Sequence, residues 1–121
     1  MGTFLAAALW LLVLFDPVGL HFAHQGTTVE TTRAMAGGAQ TTLQTGVVEM
    51  NPDFLEHAFQ DRAEALRWAA CTRAHEGVHV ERRDATELMP MLLAYMCLDR
   101  LGASAETKGY LYGRIAAEVL R

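Results

Sequence analysis

His75-Glu76-Gly77-Val78-His79 is an H-E-x-x-H pentapeptide, a single short stretch that proposes a metal, a base and a reaction together. On a helix the two histidines lie four residues apart on one face, about 6 Å along the axis, so both rings reach a single zinc ion. Glu76, next to the first histidine, is then placed to take a proton from a zinc-activated water. Stepping along the same helix, Glu64, Trp68, Cys71, His75 and His79 fall on one stripe. Cys71 cannot ligate the same ion as His79, because eight residues of helix separate them by about 12 Å. It is expected to pack behind the site, and Trp68 to belong to the core.

A catalytic zinc needs a third protein ligand and one open position. No H-x-x-G-x-x-H extension follows His79, since Arg82 and Ala85 stand where it would fall, so a carboxylate must serve. If the chain reverses near Arg83 into an antiparallel helix pair, residues equidistant from the turn face each other. His79 then lies across from Glu87, and His75 across from Met91. Glu87 is therefore the expected third ligand, in competition with a capping role at the start of the next helix. Asp99 is the alternative and Asp84 the third choice; His21 or His24 would complete the site from a strand. Tyr95, His21 and His24 are candidates for an oxyanion donor, although Tyr95 reads first as a core aromatic.

The elements that must hold these groups follow from punctuation and periodicity. An N-terminal helix stops at Asp16-Pro17. Gly19 to Gln25 alternates like a half-buried strand, Thr28 to Thr32 and Gln40 to Leu43 are weaker strands, and Gly46 to Met50 is a better one. Asn51-Pro52-Asp53 starts a helix by side-chain capping, a proline in the first turn and an acid at the positive dipole end. Run straight to Leu88, that helix would exceed about 50 Å, against roughly 35 Å for a domain of this size. It is expected to turn at Arg82-Arg83-Asp84, where Asp84 and Glu87 make a capping box for the next helix. That helix runs to about Leu101, with a kink at Pro90 and Gly102 closing it. Ser104 caps a last helix to Arg121, in which Gly109 and Gly113 would let a neighbour approach closely.

One hundred and twenty-one residues, 51% of them hydrophobic, suit a single domain spanning 1–121. The expected fold is α+β and helix-rich: an apolar N-terminal helix over 1–17, a small antiparallel sheet over 18–50, and a helical part over 51–121. There the H-E-x-x-H helix packs against two C-terminal helices. A formal charge of −4 and the lack of a Lys/Arg cluster beyond Arg82-Arg83 leave no footprint for nucleic acid. Cys71 and Cys97 are too few for a disulfide framework, lack C-x-x-C spacing, and read as two buried thiols. Phe4 to Phe15 is an uninterrupted apolar run, too short to span a bilayer and without the basic flank of a signal peptide. A buried helix is the preferred reading, with a signal or membrane segment second. A cytoplasmic location is slightly favoured over a secreted or membrane-associated one.

The pattern resembles the zincin metallopeptidases, more narrowly short, gluzincin-like, helix-rich domains in which a strand ending in Asn-Pro leads into the H-E-x-x-H helix. Here that is Val47-Val48-Glu49-Met50-Asn51-Pro52, followed by the segment from Trp68 to His79, so the likeness covers roughly residues 46–100. It implies His75 and His79 as zinc ligands, Glu76 as general base and an acid on the following helix as third ligand. Asp99 follows His79 at a spacing similar to that of thermolysin-like enzymes, but with Asp in place of Glu. The resemblance also implies that the Gly46 to Met50 strand is an edge that pairs with an extended substrate.

The expected function is therefore zinc-dependent hydrolysis of a peptide or protein substrate, with Zn2+ as cofactor. The rival is a non-catalytic helical interaction module, or a degenerate peptidase that keeps zinc without turnover. In the module, the first helix and the Gly109 to Gly113 face form a partner or membrane-proximal surface.

Overall fold

A computed structural model describes residues 2–83 and 86–121. The chain runs α1 (Thr3–Phe15), α2 (Pro17–Ala23), β1 (Thr27–Glu30), a 3-10 turn (Ala36–Gly38), β2 (Ala39–Thr42), β3 (Val47–Met50), α3 (Pro52–Glu56), α4 (Arg62–Glu81), α5 (Leu88–Arg100) and α6 (Ala105–Val119). This is the expected helix-rich α+β fold, with the H-E-x-x-H inside α4. No described helix is long and apolar enough to cross a membrane.

Helix α4 is the axis of the molecule. Ala65, Ala69, Ala70, Cys71, Ala74, Gly77 and Val78 are buried along it, and α1, α2, α3, α5 and the sheet all pack against it. Small side chains allow that approach from several directions. At Gly77 it is extreme: a Cβ there would stand 1.7 Å from the carbonyl oxygen of Phe22. The first variable position of the pentapeptide is thus filled by the needs of packing.

Residues 19–25 do not form the expected strand. Pro17 occupies the first turn of a helix, and Gly19 and Ala23, four residues apart, are its buried positions. Seven residues of alternation fit a short helix as well as a strand, and the close approach to α4 selects the helix. The sheet begins only at Thr27 and is mixed rather than antiparallel. Its order is β1-β3-β2, with β1 parallel and β2 antiparallel to β3. Val47–Met50 is therefore the central strand and not the expected edge.

The Asn51 cap forms, its side chain accepting from the Phe54 N–H at 3.1 Å, but the helix it starts ends at Glu56. A second cap, Asp61 accepting from Ala63 N–H at 2.8 Å, starts α4. Asp61 with Glu64 three residues on is a capping signature in its own right. The turn after Glu81 falls where the length argument puts it. Asp84, half of the expected capping box, lies outside the described residues. Pro90 causes no kink, because it sits in the first turn of α5, where its missing N–H costs nothing. Gly102, at φ +77°, ends α5: its N–H bonds to Asp99 and that of Ala103 to Leu98, a Schellman arrangement.

Helix α1 buries Phe4, Leu5, Ala8 and Leu12, as expected, while Trp10, Leu14 and Phe15 on its other side are more than half exposed. Asp16, fully buried at its end, accepts from Arg100 at 2.9 Å. Cys71 and Cys97 form a disulfide between α4 and α5, not a pair of thiols; the residues lie 26 apart, and only the antiparallel helix pairing brings them together. Around Gly109 and Gly113 nothing lies within 4 Å of an added Cβ, so no neighbour among the described residues uses them.

The two charges buried in α4 outside the pentapeptide each fasten another element. Glu64 accepts from Ser104 N–H at 2.6 Å and Thr107 hydroxyl at 2.8 Å and pairs with Arg67, locking the start of α6 to α4. Burial alone would raise its pKa, but the hydrogen bonds from Ser104, Thr107 and Arg67 outweigh burial and bring it down to about 2. Arg73 donates to the Thr28 hydroxyl at 2.8 Å and to the Gln25 carbonyl, tying α4 to β1. Burial lowers its pKa to about 10, against the charge of Glu76.

Two outcomes follow. Gly77→Ala gains about 1 kcal/mol in helix propensity but drives a methyl into backbone. It should lower stability by about 3 kcal/mol or more in urea unfolding, and an unchanged midpoint would contradict the packing. Because the folded pKa of Glu64 lies below its unfolded value, its contribution is complete above pH 4.5 and is lost as pH falls towards 2. The urea midpoint of wild type should therefore fall more steeply across that window than that of Glu64→Gln; parallel profiles would refute it.

Candidate metal centre

His75 and His79 face the same way from α4, their ring centroids 5.2 Å apart. Across the chain reversal stands Glu87, the residue that precedes the first turn of α5. From this N-cap position its side chain makes no hydrogen bond into the first turn of α5; the capping box expected with Asp84 lies outside the described residues. Its Oε1 lies 2.7 Å from His79 Nε2 and Oε2 lies 3.3 Å from His75 Nε2. One ligand atom from each of the three residues falls within 4.8 Å of the others.

That donor set fits a zinc ion. Metal–ligand bonds near 2.0–2.2 Å in a tetrahedron put ligand atoms about 3.4 Å apart; the Glu87 oxygens lie 2.7 and 3.3 Å from the two imidazoles, and the three ligand atoms fall within 4.8 Å of one another. Two imidazole nitrogens and a carboxylate also suit zinc chemically. The same atoms pair with one another. The hydrogen bond to Glu87 holds His79 above its ordinary pKa against the effect of burial, with the charges of Glu87 and Glu76 adding to it. Glu87 is held well below the usual carboxylate range, first by its hydrogen bond with His75 and then by that with His79.

Glu76 points to the neighbouring side of the helix and is buried. Its Oε1 accepts from the Thr41 hydroxyl at 3.0 Å, and Oε2 lies 3.6 Å from His75 Nε2. Thr41 also donates to the Glu76 backbone carbonyl at 3.3 Å, so strand β2 is fixed to α4 at the pentapeptide itself. Nothing in the local sequence singles out Thr41 from its neighbour Thr42. Only the strand's alternation, aimed by its pairing with β3, sends one inward.

The other candidates lie elsewhere. Asp99 pairs with Lys108 at 3.0 Å and is mostly exposed. His21 pairs with Glu81 at 2.9 Å on the surface, and His24 is exposed; both belong to α2 and its end, not to a strand reaching the site. Tyr95 stands beside Tyr112, ring centroids 6.4 Å apart, away from the cluster. Asp84 is outside the described residues.

The cluster opens into a cavity of about 570 Å³. One wall is the outer strand β2 with Thr41 and Gln40, and the other includes Trp68, Cys71 and Leu98. Cys71 does pack behind the histidines, as a half-cystine. Trp68 packs against the core, as expected, and also lines the cavity, its ring 5.6 Å from Phe59 and 5.5 Å from Tyr110. Compared with family models, curated proteins and solved structures, the chain has no match.

In the metal-free protein, the His79 imidazole should titrate above pH 6.5 in an NMR experiment, and it should return towards that value in Glu87→Gln. Since the pKa of His79 is raised and that of Glu87 lowered, their pairing stabilises the fold between the Glu87 and His79 transitions and is lost on either side. A His79 pKa unchanged by Glu87→Gln would show that the two side chains do not meet.

Proposed function

We propose that the chain is a zinc-dependent metallopeptidase of the zincin type, in which His75, His79 and Glu87 hold the ion and Glu76 is the general base. The observation that carries this reading is the approach of a carboxylate from the following helix to both histidines of an H-E-x-x-H, with Glu76 buried beside them. A structural zinc site would close the coordination shell with a fourth protein ligand. Here, among the described residues, three ligand atoms gather at the edge of a cavity large enough for a peptide side chain.

Zinc, when bound, supplies a Lewis acid for the peptide carbonyl and lowers the pKa of water. The chain's own groups do the rest. Glu76, oriented by Thr41, takes the proton of the attacking water and passes it to the leaving nitrogen. The outer edge of β2, next to Glu76, offers backbone groups to an extended substrate, the role that the sequence pointed to in β3. Hydrolysis is balanced by water alone: the carbonyl carbon gains the hydroxyl and the nitrogen gains the proton.

The exposed apolar side of α1, with Trp10, Leu14 and Phe15, favours a second reading, a helical module that binds a partner and uses the cluster structurally or not at all. The two readings part on metal and turnover. Elemental analysis of the protein purified without chelator should find about one zinc per chain, abolished in His79→Ala and weakened in Glu87→Ala. Glu76→Gln should keep the zinc and lose roughly 10²–10⁴-fold in peptide hydrolysis. A folded wild type that takes up no supplied zinc sinks the peptidase reading.

A further inference from the structure

The cavity that the cluster opens into is also lined by Trp68 of α4, Leu98 of α5 and Tyr110, Leu111 and Arg114 of α6. The contacts define how α6 lies. Ser104 and Thr107 bond to Glu64, and Tyr110 stacks edge-on against Trp68, so α6 ascends in the same sense as α4. Arg114, one turn beyond Tyr110, therefore stands level with about residue 72, roughly 5 Å short of His75 along the axis. Thr72 lines the same cavity. Arg114 is exposed, and among the described residues no carboxylate lies within ion-pair distance of it. The floor, by contrast, is aromatic and aliphatic.

We propose that this cavity binds the C-terminal residue of a peptide, with a large apolar or aromatic side chain on Trp68, Tyr110 and Leu111 and the free α-carboxylate on Arg114. A planar guanidinium suits bidentate binding of a carboxylate. The separation of Arg114 from Tyr110, about 6 Å along the helix, matches the distance between the carboxylate and ring of one aromatic residue. A unit that presents both groups beside the scissile bond is a chain terminus, so the reaction at the cluster would release a single C-terminal amino acid. The assignment rests on the peptidase reading for where the bond is cut, but not for the recognition of ring and carboxylate.

The test separates the two. Metal-free full-length protein is titrated with N-acetyl-L-phenylalanine, its carboxamide and N-acetylglycine, followed by the NMR shift of the Trp68 indole; without metal, the ligand's carboxylate has no ion to bind. The phenylalanine acid should bind at least ~10-fold more tightly than the amide and than N-acetylglycine. The preference over the amide should vanish in Arg114→Gln and survive in part in Arg114→Lys. Equal binding of acid and amide, a preference that persists in Arg114→Gln, or no binding at all would overturn the proposal. Acid preference in a chain that takes up no zinc would keep the pocket and end the peptidase reading; zinc uptake without acid preference would do the reverse.

Discussion

Helix α4 must be approached on nearly every side at once, and the remaining structure is arranged around that constraint. Its alanines and Gly77 remove the bulk that would hold neighbours away, so that the backbone of α2 rests directly on the pentapeptide. Burial on that scale leaves little tolerance for unpaired polar groups. Glu64 and Glu76 accordingly each receive hydrogen bonds from a different element, α6 and β2 respectively. Arg73 reaches β1 and the turn before it, although its Nη1 has no partner among the described residues. The buried charges thus determine which elements dock on α4 and in what register, while the small apolar residues let them come close.

The position of Glu87 depends on α5, and α5 is held at several points. The disulfide joins its C-terminal half, at Cys97, to α4 one turn behind His75. The Asp16–Arg100 pair ties its C-terminal turn to the corner between α1 and α2, and the Gly102 cap turns the chain back into α6. With the helix so restrained, the residue before its first turn is delivered to the histidines. There its carboxylate meets both imidazoles, a charge-assisted pairing.

The site joins groups of opposite chemical character. The histidines and two carboxylates line the same cavity as the aromatic and aliphatic side chains of Trp68, Leu98, Tyr110 and Leu111 and the guanidinium-bearing Arg114. Strand β2 runs along the side, anchored to Glu76 by Thr41. A polar centre walled by apolar surface is the usual form of a small-molecule or peptide site. Here part of the wall comes from α6, which the Glu64 anchor and its packing against α5 hold in place.

Local chemistry decided a definite part of this protein. The spacing of His75 and His79, the caps at Asn51 and Ser104, the stops at Pro17 and Gly102, and the turn forced by helix length are properties of a few adjacent residues, and each appears where the sequence places it. Glu87 was also legible, because an antiparallel helix pair has a register that can be counted from its turn. What could not be read are the features that need a partner from elsewhere in the chain. Residues 19–23 are helical, their backbone at Phe22 resting on Gly77 of α4, although the pattern of 19–25 fits a strand. The strand order, and with it which edge faces Glu76, depends on pairing between residues far apart. The Cys71–Cys97 bond, Thr41 beside Glu76, and Trp68 and Arg114 in one cavity likewise exist only once α4, α5, α6 and the sheet are packed together. Spacing along a chain carries distance information for a turn or two of helix; beyond that, burial and complementarity among distant elements decide.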